Sequence, residues 1–190
     1  MLIHEEKRLA FCFHWHTASR ATLPPLLRRG FVFAGRKHEG PLNLTGRTRH
    51  RFQGIDHYHY ACTVRNHFDV FVSWLHAAKV LGQEEDKVTV EFIKSFHARR
   101  PNHFPYHHRL WRFLWDADPS QILYFEDIAA HLNKYLTGHG FQPLQEGEFE
   151  VKGRNPYRPR DSYRHHWRKD AVAYMEARFE DELEYLGYRF

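Results

Sequence analysis

Short apolar runs alternate along this chain with longer segments in which apolar residues recur every three or four positions. The runs predict buried strands, which cover residues 9–13, 31–34, 58–64 and 121–125. The longer segments predict helices over residues 21–29, 68–80, 88–98, 105–115, 126–137 and 168–186. Strands that alternate with helices in this way favour an α/β fold with a mostly parallel central sheet.

Two segments show neither a short apolar run nor apolar residues at helical spacing. Residues 40–56 are rich in glycine, arginine and polar groups and predict a loop, and residues 139–166 predict irregular structure with many arginines. A chain of 190 residues, of which 42% are hydrophobic, is long enough for one domain with a buried core. We therefore expect a single domain over residues 1–190, arranged as a compact three-layer sandwich around the sheet.

A strand, a turn of small residues and a helix follow one another over residues 9–29, and the turn carries HWHTASRAT at 14–22. Backbone N–H groups at a helix N-terminus lack intrahelical partners, and the helix dipole favours an anion there. Ligands of parallel α/β sheets bind where the strands end. The turns after 31–34 and 58–64 should lie at the same edge, so the sequence predicts a phosphate-binding strand–loop–helix at residues 9–29.

The net charge is +5 with the 17 histidines neutral, which favours an anionic partner such as a nucleotide, a sulfated or phosphorylated substrate, or nucleic acid. Cys12 and Cys62 lie in apolar runs, which predicts buried free thiols and a reducing compartment. The first residues lack the apolar segment of a signal peptide, and no run reaches 18 apolar residues. We expect a cytoplasmic protein without membrane contact.

The most specific pattern is YACTVRNHFDVFVSWLHAAKV at 60–80, where Arg65 ends a buried strand and Ser73 follows eight residues later in a helix. This pattern resembles the 3′-phosphate-binding motif of sulfotransferases that use 3′-phosphoadenosine 5′-phosphosulfate (PAPS). The resemblance implies that Arg65 and Ser73 hold the 3′-phosphate of the donor. In an alternative interpretation, Arg65 pairs with Asp69 and only stabilises the edge of the sheet.

The opening turn resembles the 5′-phosphosulfate loop of the same family, whose nucleotide-binding fold is P-loop-like. The family's lysine position holds His16, and Arg20 stands where a hydroxyl residue is common. The resemblance implies donor contacts from His16, Thr17, Ala18, Ser19, Arg20, Ala21 and Thr22. ILYFEDI at 122–128 and FEDELEYLGYRF at 179–190 resemble later segments of carbohydrate-type and bacterial members.

Sulfuryl transfer needs stabilisation of the leaving phosphate and a base for the acceptor proton. His16 would assist the leaving group as an imidazolium, or less strongly as a neutral donor. For the base we expect His38 first and Glu39 second, since both follow the second predicted strand, where carbohydrate-acting members place such a residue. His57 and His59, which flank the start of the third predicted strand, are further candidates.

A basic segment late in the chain is expected to close over the donor's 3′-phosphate or an anionic acceptor, and its best candidates are Lys152, Gly153 and Arg154. Arginines alternate there with Tyr157 and Tyr163, a composition that also suits RNA or a solvated loop. Histidine pairs occur along the chain without the further ligands of a metal centre, so we expect no metal.

These observations together predict a sulfotransferase that uses PAPS as donor co-substrate. Its acceptor would be a hydroxyl on a small molecule or a glycan. One alternative is a sulfotransferase-like module that binds the nucleotide with little transfer, because His16 replaces the lysine. A second alternative is a basic nucleic-acid-binding protein, which the net charge and the late segment with alternating arginines and tyrosines suggest.

Overall fold

The computed structural model describes residues 1–13, 18–34, 45–77, 87–99, 118, 121–149 and 162–190. The chain divides into two compact units, Met1–Val64 with Arg112–Gly153 and Arg65–Trp111 with Arg154–Phe190. The single domain expected over residues 1–190 is not tested by this division and stays a prediction.

Five strands in the described part of the first unit form one sheet. They are β1 (Leu2–His4), β2 (Leu9–Cys12), β3 (Val32–Phe33), β4 (His59–Val64) and β5 (Ile122–Tyr124), in the order β3-β1-β2-β4-β5. β2 pairs with β4 and β4 with β5 in parallel, whereas β1 is antiparallel to both β2 and β3. Four of these five strands therefore point the same way. The α/β class is confirmed, and all four predicted strands are present. The sheet is mixed: the pairings among β2, β4 and β5 are parallel as predicted, and both pairings of β1 are antiparallel.

The described α-helices are α1 (Ser19–Arg28), α2 (Gly46–Arg51), α3 (His67–Ala77), α4 (Val90–Arg99), α5 (Ile128–Gly138), α6 (Lys169–Arg178) and α7 (Glu180–Tyr185). Short 3₁₀ helices cover Ile55–His57, Phe125–Asp127 and Ser162–His166. None of the described helices is long and apolar enough to cross a membrane. The helix predicted over residues 105–115 lies outside the described residues.

β1 is the strand that the sequence pattern did not predict. It forms a hairpin with β2 across the charged turn Glu5–Arg8, in which the Arg8 N–H donates to the Glu5 carbonyl at 3.0 Å. Leu2 and Ile3 are fully buried. Three residues are too few to display an alternating pattern, so only the pairing with β2 identifies this segment as a strand.

The loop predicted over residues 40–56 is wrong where α2 forms. Thr45 precedes this helix with extended backbone, and its side-chain oxygen accepts a hydrogen bond from the Thr48 N–H at 3.3 Å. A threonine in this position satisfies a backbone donor of the first turn and so begins the helix. Only Thr48 of the six α2 residues is buried, which explains why no apolar periodicity marks the helix.

The single helix predicted over residues 168–186 is also wrong, because α6 and α7 are separated at Phe179. The backbone of Phe179 has φ −121° and ψ 28°, outside the helical region. Hydrogen bonds continue across the break, from Phe179 N–H to the Met175 carbonyl and from Leu183 N–H to the Phe179 carbonyl. The apolar spacing therefore continues through a break in the helix that it cannot reveal.

Each unit has its own apolar core. In the first unit, Leu9, Phe11, Ala61 and Leu123 project from one face of the sheet and pack in the same cluster as α1 and α5 residues. The expected four-residue spacing on α5 is confirmed, since Ile128, Leu132 and Leu136 all belong to this core, together with Tyr135. The core of the second unit joins α3, α4, α6 and α7, with Phe68, Phe71, Ile93, Met175 and Leu183 among its members.

Candidate functional site

The turn that follows β2 enters α1 through a backbone conformation that is rare for alanine. Ala18 has φ 60° and ψ 20°, in the left-handed region. Its carbonyl accepts hydrogen bonds from the N–H groups of Ala21 and Thr22 at 2.9 and 3.0 Å. A left-handed residue other than glycine costs about 1–2 kcal/mol. Such strain close to a predicted phosphate turn is typical of binding loops.

The residues predicted to contact the donor differ in exposure along the start of α1. Ser19 is half-buried and Arg20 is exposed, whereas Ala21 and Thr22 are buried. The Thr22 hydroxyl donates to the Ala18 carbonyl at 3.2 Å, so it supports the turn from inside. Ser19 and Arg20 are therefore accessible to a ligand at this helix start. The first turn of α1 contains no acidic residue, which suits an anion.

Several predicted site residues lie outside the described residues: His16, Thr17, His38, Glu39, Lys152, Gly153 and Arg154. Their roles stay predictions. Ala18, Ser19, Arg20, Ala21 and Thr22 belong to the first unit, and Arg65 and Ser73 belong to the second. The predictions that can be examined therefore concern the start of α1 and the start of α3, each within its own unit.

The start of α3 is capped by a side chain that no motif selected. The Asn66 Oδ1 accepts a hydrogen bond from the Phe68 N–H at 3.0 Å, and the Asn66 carbonyl accepts one from the Val70 N–H at 2.9 Å. Asparagine is among the preferred residues at this position. Asn66 thereby holds the backbone that presents Arg65, the residue immediately after β4.

Arg65 is paired with Asp69 in the first turn of α3. Its Nε and Nη2 lie 2.7 and 2.6 Å from the same carboxylate oxygen, Asp69 Oδ2. Both side chains are only 12% exposed, so the pair is well shielded from water. This is the contact on which the alternative interpretation of Arg65 depends. The same contact also holds the guanidinium at a defined position along α3.

Ser73 continues the polar face of α3 that Asp69 begins. Residues four apart on a helix are neighbours, with Cβ atoms about 5–6 Å apart, and Ser73 lies one turn beyond Asp69. The opposite face of the helix is apolar and packs into the core through Phe68, Phe71, Val72 and Leu75. Asp69 and Ser73 therefore share one face of α3, and Arg65, which precedes the helix, reaches this face through its contact with Asp69.

A buried histidine and a buried carboxyl group meet at the first residue of α3. His67 Nε2 lies 3.9 Å from Glu182 Oε2, and the side chains are 0% and 10% exposed. Burial lowers the pKa of His67 to about 3. Burial raises the pKa of Glu182 to about 7, with Asp181 raising it further and Arg178 lowering it. Sequence reasoning missed both residues; the one signal was a glutamate within the apolar spacing of α7.

His57 and His59, the further candidates for the general base, lie at the end of the sheet opposite to the edge where the ligand is predicted to bind. His57 and His59 are exposed and stand at the amino end of β4. A strand of this length spans roughly 16–20 Å, so neither histidine can reach a ligand where β2 and β4 end. Among the residues that the structure describes, no three histidine, cysteine, aspartate or glutamate side chains are grouped to hold a metal ion.

The aromatic side chain described in the late basic segment is not presented to solvent. Tyr163 is 6% exposed and contacts the ring of Phe190 at 6.1 Å between centroids. Arg164 lies over the Phe190 ring at 5.2 Å. Base stacking needs an accessible aromatic face, which Tyr163 does not offer.

No model of a known protein family matches the chain, and no curated protein or solved structure shows significant similarity to it. The resemblance to PAPS-dependent sulfotransferases stays a prediction from the motifs. The described residues on which that prediction can be tested are Ser19 and Arg20 at the start of α1, Arg65 just before α3, and Asp69 and Ser73 on α3.

Proposed function

We propose that this protein is a PAPS-dependent sulfotransferase with a P-loop-like nucleotide-binding fold. It transfers the sulfuryl group to a hydroxyl of a small molecule or a glycan and releases adenosine 3′,5′-bisphosphate. The donor is a co-substrate, and the reaction uses no metal. The protein works in the cytoplasm.

The observation that carries this proposal is the parallel pairing of β2 with β4. Cys12 of β2 is in register with Cys62 of β4, so the two strands end at the same edge of the sheet. The two segments that resemble the donor-binding motifs follow these two strands directly in the chain. Ligands of parallel α/β sheets bind at the carboxyl ends of the strands, and each of the two segments follows such an end.

In the proposed reaction, the acceptor oxygen attacks sulfur while the bond from sulfur to the 5′-phosphate oxygen breaks. The acceptor proton passes to His38, or to Glu39 if His38 does not act as the base. Backbone N–H groups at the start of α1, together with His16, stabilise the charge that develops on the leaving phosphate. Arg65 and Ser73 hold the 3′-phosphate, so they orient the donor without taking part in bond breaking.

Calorimetry with adenosine 3′,5′-bisphosphate, followed by turnover of labelled PAPS with a panel of alcohols and glycans, tests the proposal. We expect micromolar binding of the bisphosphate and sulfation of at least one acceptor class. Absence of bisphosphate binding would overturn the proposal and favour the nucleic-acid alternative. Binding with no turnover on any acceptor would favour a nucleotide-binding module.

A nucleotide-binding module with little transfer activity is the second candidate function. It is suggested by His16, which occupies the lysine position of the sulfotransferase 5′-phosphosulfate loop that this turn resembles. A His16→Lys variant separates the two functions. For an enzyme whose His16 acts as a cation, this variant keeps its activity at high pH, where an imidazole loses its charge. For a module, the restored lysine should create or greatly increase a turnover that the natural chain lacks.

A further inference from the structure

Asn66, the buried residue between Arg65 and the first residue of α3, uses both ends of its side-chain amide. Its Oδ1 accepts a hydrogen bond from the Phe68 N–H at 3.0 Å, which caps the helix. Its Nδ2 donates to the Arg189 carbonyl at 2.9 Å, across 123 positions of the chain. The cap needs only the oxygen, so the contact with Arg189 is additional to what begins α3.

The segment 188–190 leaves α7 in a direction that a glycine sets. Gly187 has φ +68°, in the left-handed region that favours glycine. Its N–H donates to the Glu184 carbonyl at 3.0 Å, and the Tyr188 N–H donates to the Leu183 carbonyl at 2.8 Å. These two bonds form a Schellman motif, which ends the helix and fixes the path of the chain immediately after it.

Phe190 fastens the other side of Arg189. Its ring meets the ring of Phe68 edge to face, with centroids 4.9 Å apart, and lies 6.4 Å from the ring of Trp167. The Arg189 carbonyl therefore lies between the fixed end of α7 and an anchored ring, which makes it an acceptor of defined position. Residues 188–190 thus form a brace against the turn that begins α3.

The position of Arg65 depends on this turn at two points. Its backbone joins Asn66 directly, and its guanidinium contacts Asp69 Oδ2 at 2.7 Å from Nε and 2.6 Å from Nη2. A guanidinium recognises phosphate through N–H groups in a fixed planar fork, so recognition depends on its orientation. A shift at Asn66 moves the backbone of Arg65 relative to Asp69 and changes that orientation.

We infer that Asn66 is a positioning residue for the 3′-phosphate site, which fixes the turn that carries Arg65 against the brace of residues 188–190. This inference rests on the proposed function, because it assigns the 3′-phosphate to Arg65 and Ser73. The 5′-phosphate is assigned to the start of α1, so the brace acts on recognition of the 3′-phosphate. The quantity to measure is the preference for adenosine 3′,5′-bisphosphate over AMP, given by the ratio of their Kd values.

Asn66→Ser separates the helix cap from the brace. Serine caps helices about as well as asparagine, but it has no amide group to donate to the Arg189 carbonyl. We expect the preference to fall by roughly 3- to 10-fold, through weaker bisphosphate binding with AMP binding nearly unchanged. Calorimetry with both nucleotides measures this, and circular dichroism checks that the variant is folded.

Phe190→Ala loosens the brace from its other side and leaves Asn66 in place, so it provides the test if Asn66→Ser does not fold. We expect the same selective fall in preference. Phe92→Ala is the matched control, because Phe92 is also a half-buried phenylalanine packed on this core, with its ring 6.2 Å from those of Phe71 and Phe96. It should lower Tm without changing the preference.

Thr89→Ala is the control for the loss of a helix cap. The Thr89 Oγ1 accepts a hydrogen bond from the Phe92 N–H at 3.1 Å at the start of α4, as the Asn66 Oδ1 does at the start of α3. Thr89→Ala and Asn66→Ala should each lower Tm by roughly 2–4 °C. Only Asn66→Ala should also reduce the preference for the bisphosphate.

An unchanged preference in folded Asn66→Ser and Phe190→Ala overturns this inference and leaves the proposed function standing. Equal losses of affinity for the bisphosphate and for AMP overturn it as well, because they indicate a structural role only. Absence of bisphosphate binding to the natural chain overturns the proposed function, and this inference with it.

Discussion

Two arginine–carboxylate pairs, one in each unit, show how differently the same chemistry can be used. Arg29 in the first unit holds both oxygens of Glu148, at 2.6 Å from Nη1 and 2.9 Å from Nη2. Its other donors reach the carbonyls of Pro25, Gln142 and Pro143. All five N–H groups of this guanidinium are therefore engaged within the protein.

Arg65 in the second unit holds one oxygen of Asp69, only four residues away. Glu148, by contrast, lies 119 residues from Arg29. A pair that joins distant parts of the chain stabilises the fold, whereas a pair within one helical turn closes almost no loop. The comparison shows that the Arg29–Glu148 pair joins distant parts of the chain, whereas the Arg65–Asp69 pair is local to the start of α3.

Loss of Arg29 should have the largest effect on stability. Arg29→Ala leaves Glu148 shielded and without its main partner, and we expect a loss of about 3–5 kcal/mol in the free energy of unfolding. Urea denaturation followed by circular dichroism measures this. Arg28→Ala is the matched control, because Arg28 is 62% exposed and lies 3.8 Å from the same carboxylate; it should cost less than about 1 kcal/mol. Equal costs for the two variants would contradict the structural role of Arg29.

Loss of Arg65 should act on a ligand instead. We expect Arg65→Ala to weaken adenosine 3′,5′-bisphosphate binding by roughly 10- to 100-fold, because a hydrogen bond to a charged group contributes about 1.5–3 kcal/mol. AMP, which lacks the 3′-phosphate, should bind almost unchanged. Arg49→Ala is the control, since it also breaks an arginine–aspartate pair, with Asp56, at the amino end of β4. Equal losses for both nucleotides in a folded variant would favour the purely structural interpretation.

The acid stability of the first unit should depend on the Arg29 pair. The hydrogen bond from Arg29 lowers the pKa of Glu148 to about 2 from its usual 4.5. The stabilisation from the ionised carboxylate is therefore complete above pH 4.5 and is lost as the pH falls towards 2. Unfolding measured between pH 2 and 6 should show a steeper loss for the natural chain than for Glu148→Gln. Parallel curves would mean that the pair contributes nothing in acid.

A smaller effect is expected at Ser73, whose hydroxyl carries no charge. Ser73→Ala should weaken bisphosphate binding by roughly 3- to 10-fold, since a neutral hydrogen bond contributes about 0.5–1.5 kcal/mol. Calorimetry with the bisphosphate and with AMP measures the difference. An effect larger than that of Arg65→Ala would show that the serine, and not the arginine, governs recognition of the 3′-phosphate.

The smallest effect concerns the strained turn before α1. Ala18→Gly should stabilise the protein by roughly 0.5–1 kcal/mol, because relief of the left-handed strain exceeds the added entropy of the unfolded chain. Arg8→Gly, at the other non-glycine residue of positive φ among those described, should stabilise similarly without changing nucleotide affinity. Thermal unfolding measures both. A destabilised Ala18→Gly variant would contradict the left-handed conformation.

Local patterns in the sequence were sufficient for most of the described fold. The four predicted strands and the spacing on α5 are confirmed, because a buried run or one apolar face is a property of neighbouring residues. The apolar pattern did not predict β1, which is identified as a strand only by its pairing with β2. It also did not predict α2, which begins at the Thr45 cap and has almost no buried residues. Part of the candidate site was also predictable from neighbouring residues: Asp69 and Ser73 share one face of α3, and Arg65 pairs with Asp69 from just before the helix.

Local residue patterns were enough to predict the α/β class, the turns that follow β2 and β4, and the polar face of α3. The pairing of Arg29 with Glu148 and the burial of Glu182 against His67 became visible only in the folded chain. The physical reason is that these contacts join residues more than a hundred positions apart. The charge of a buried group depends on how much water its surroundings exclude, and no local pattern contains that information.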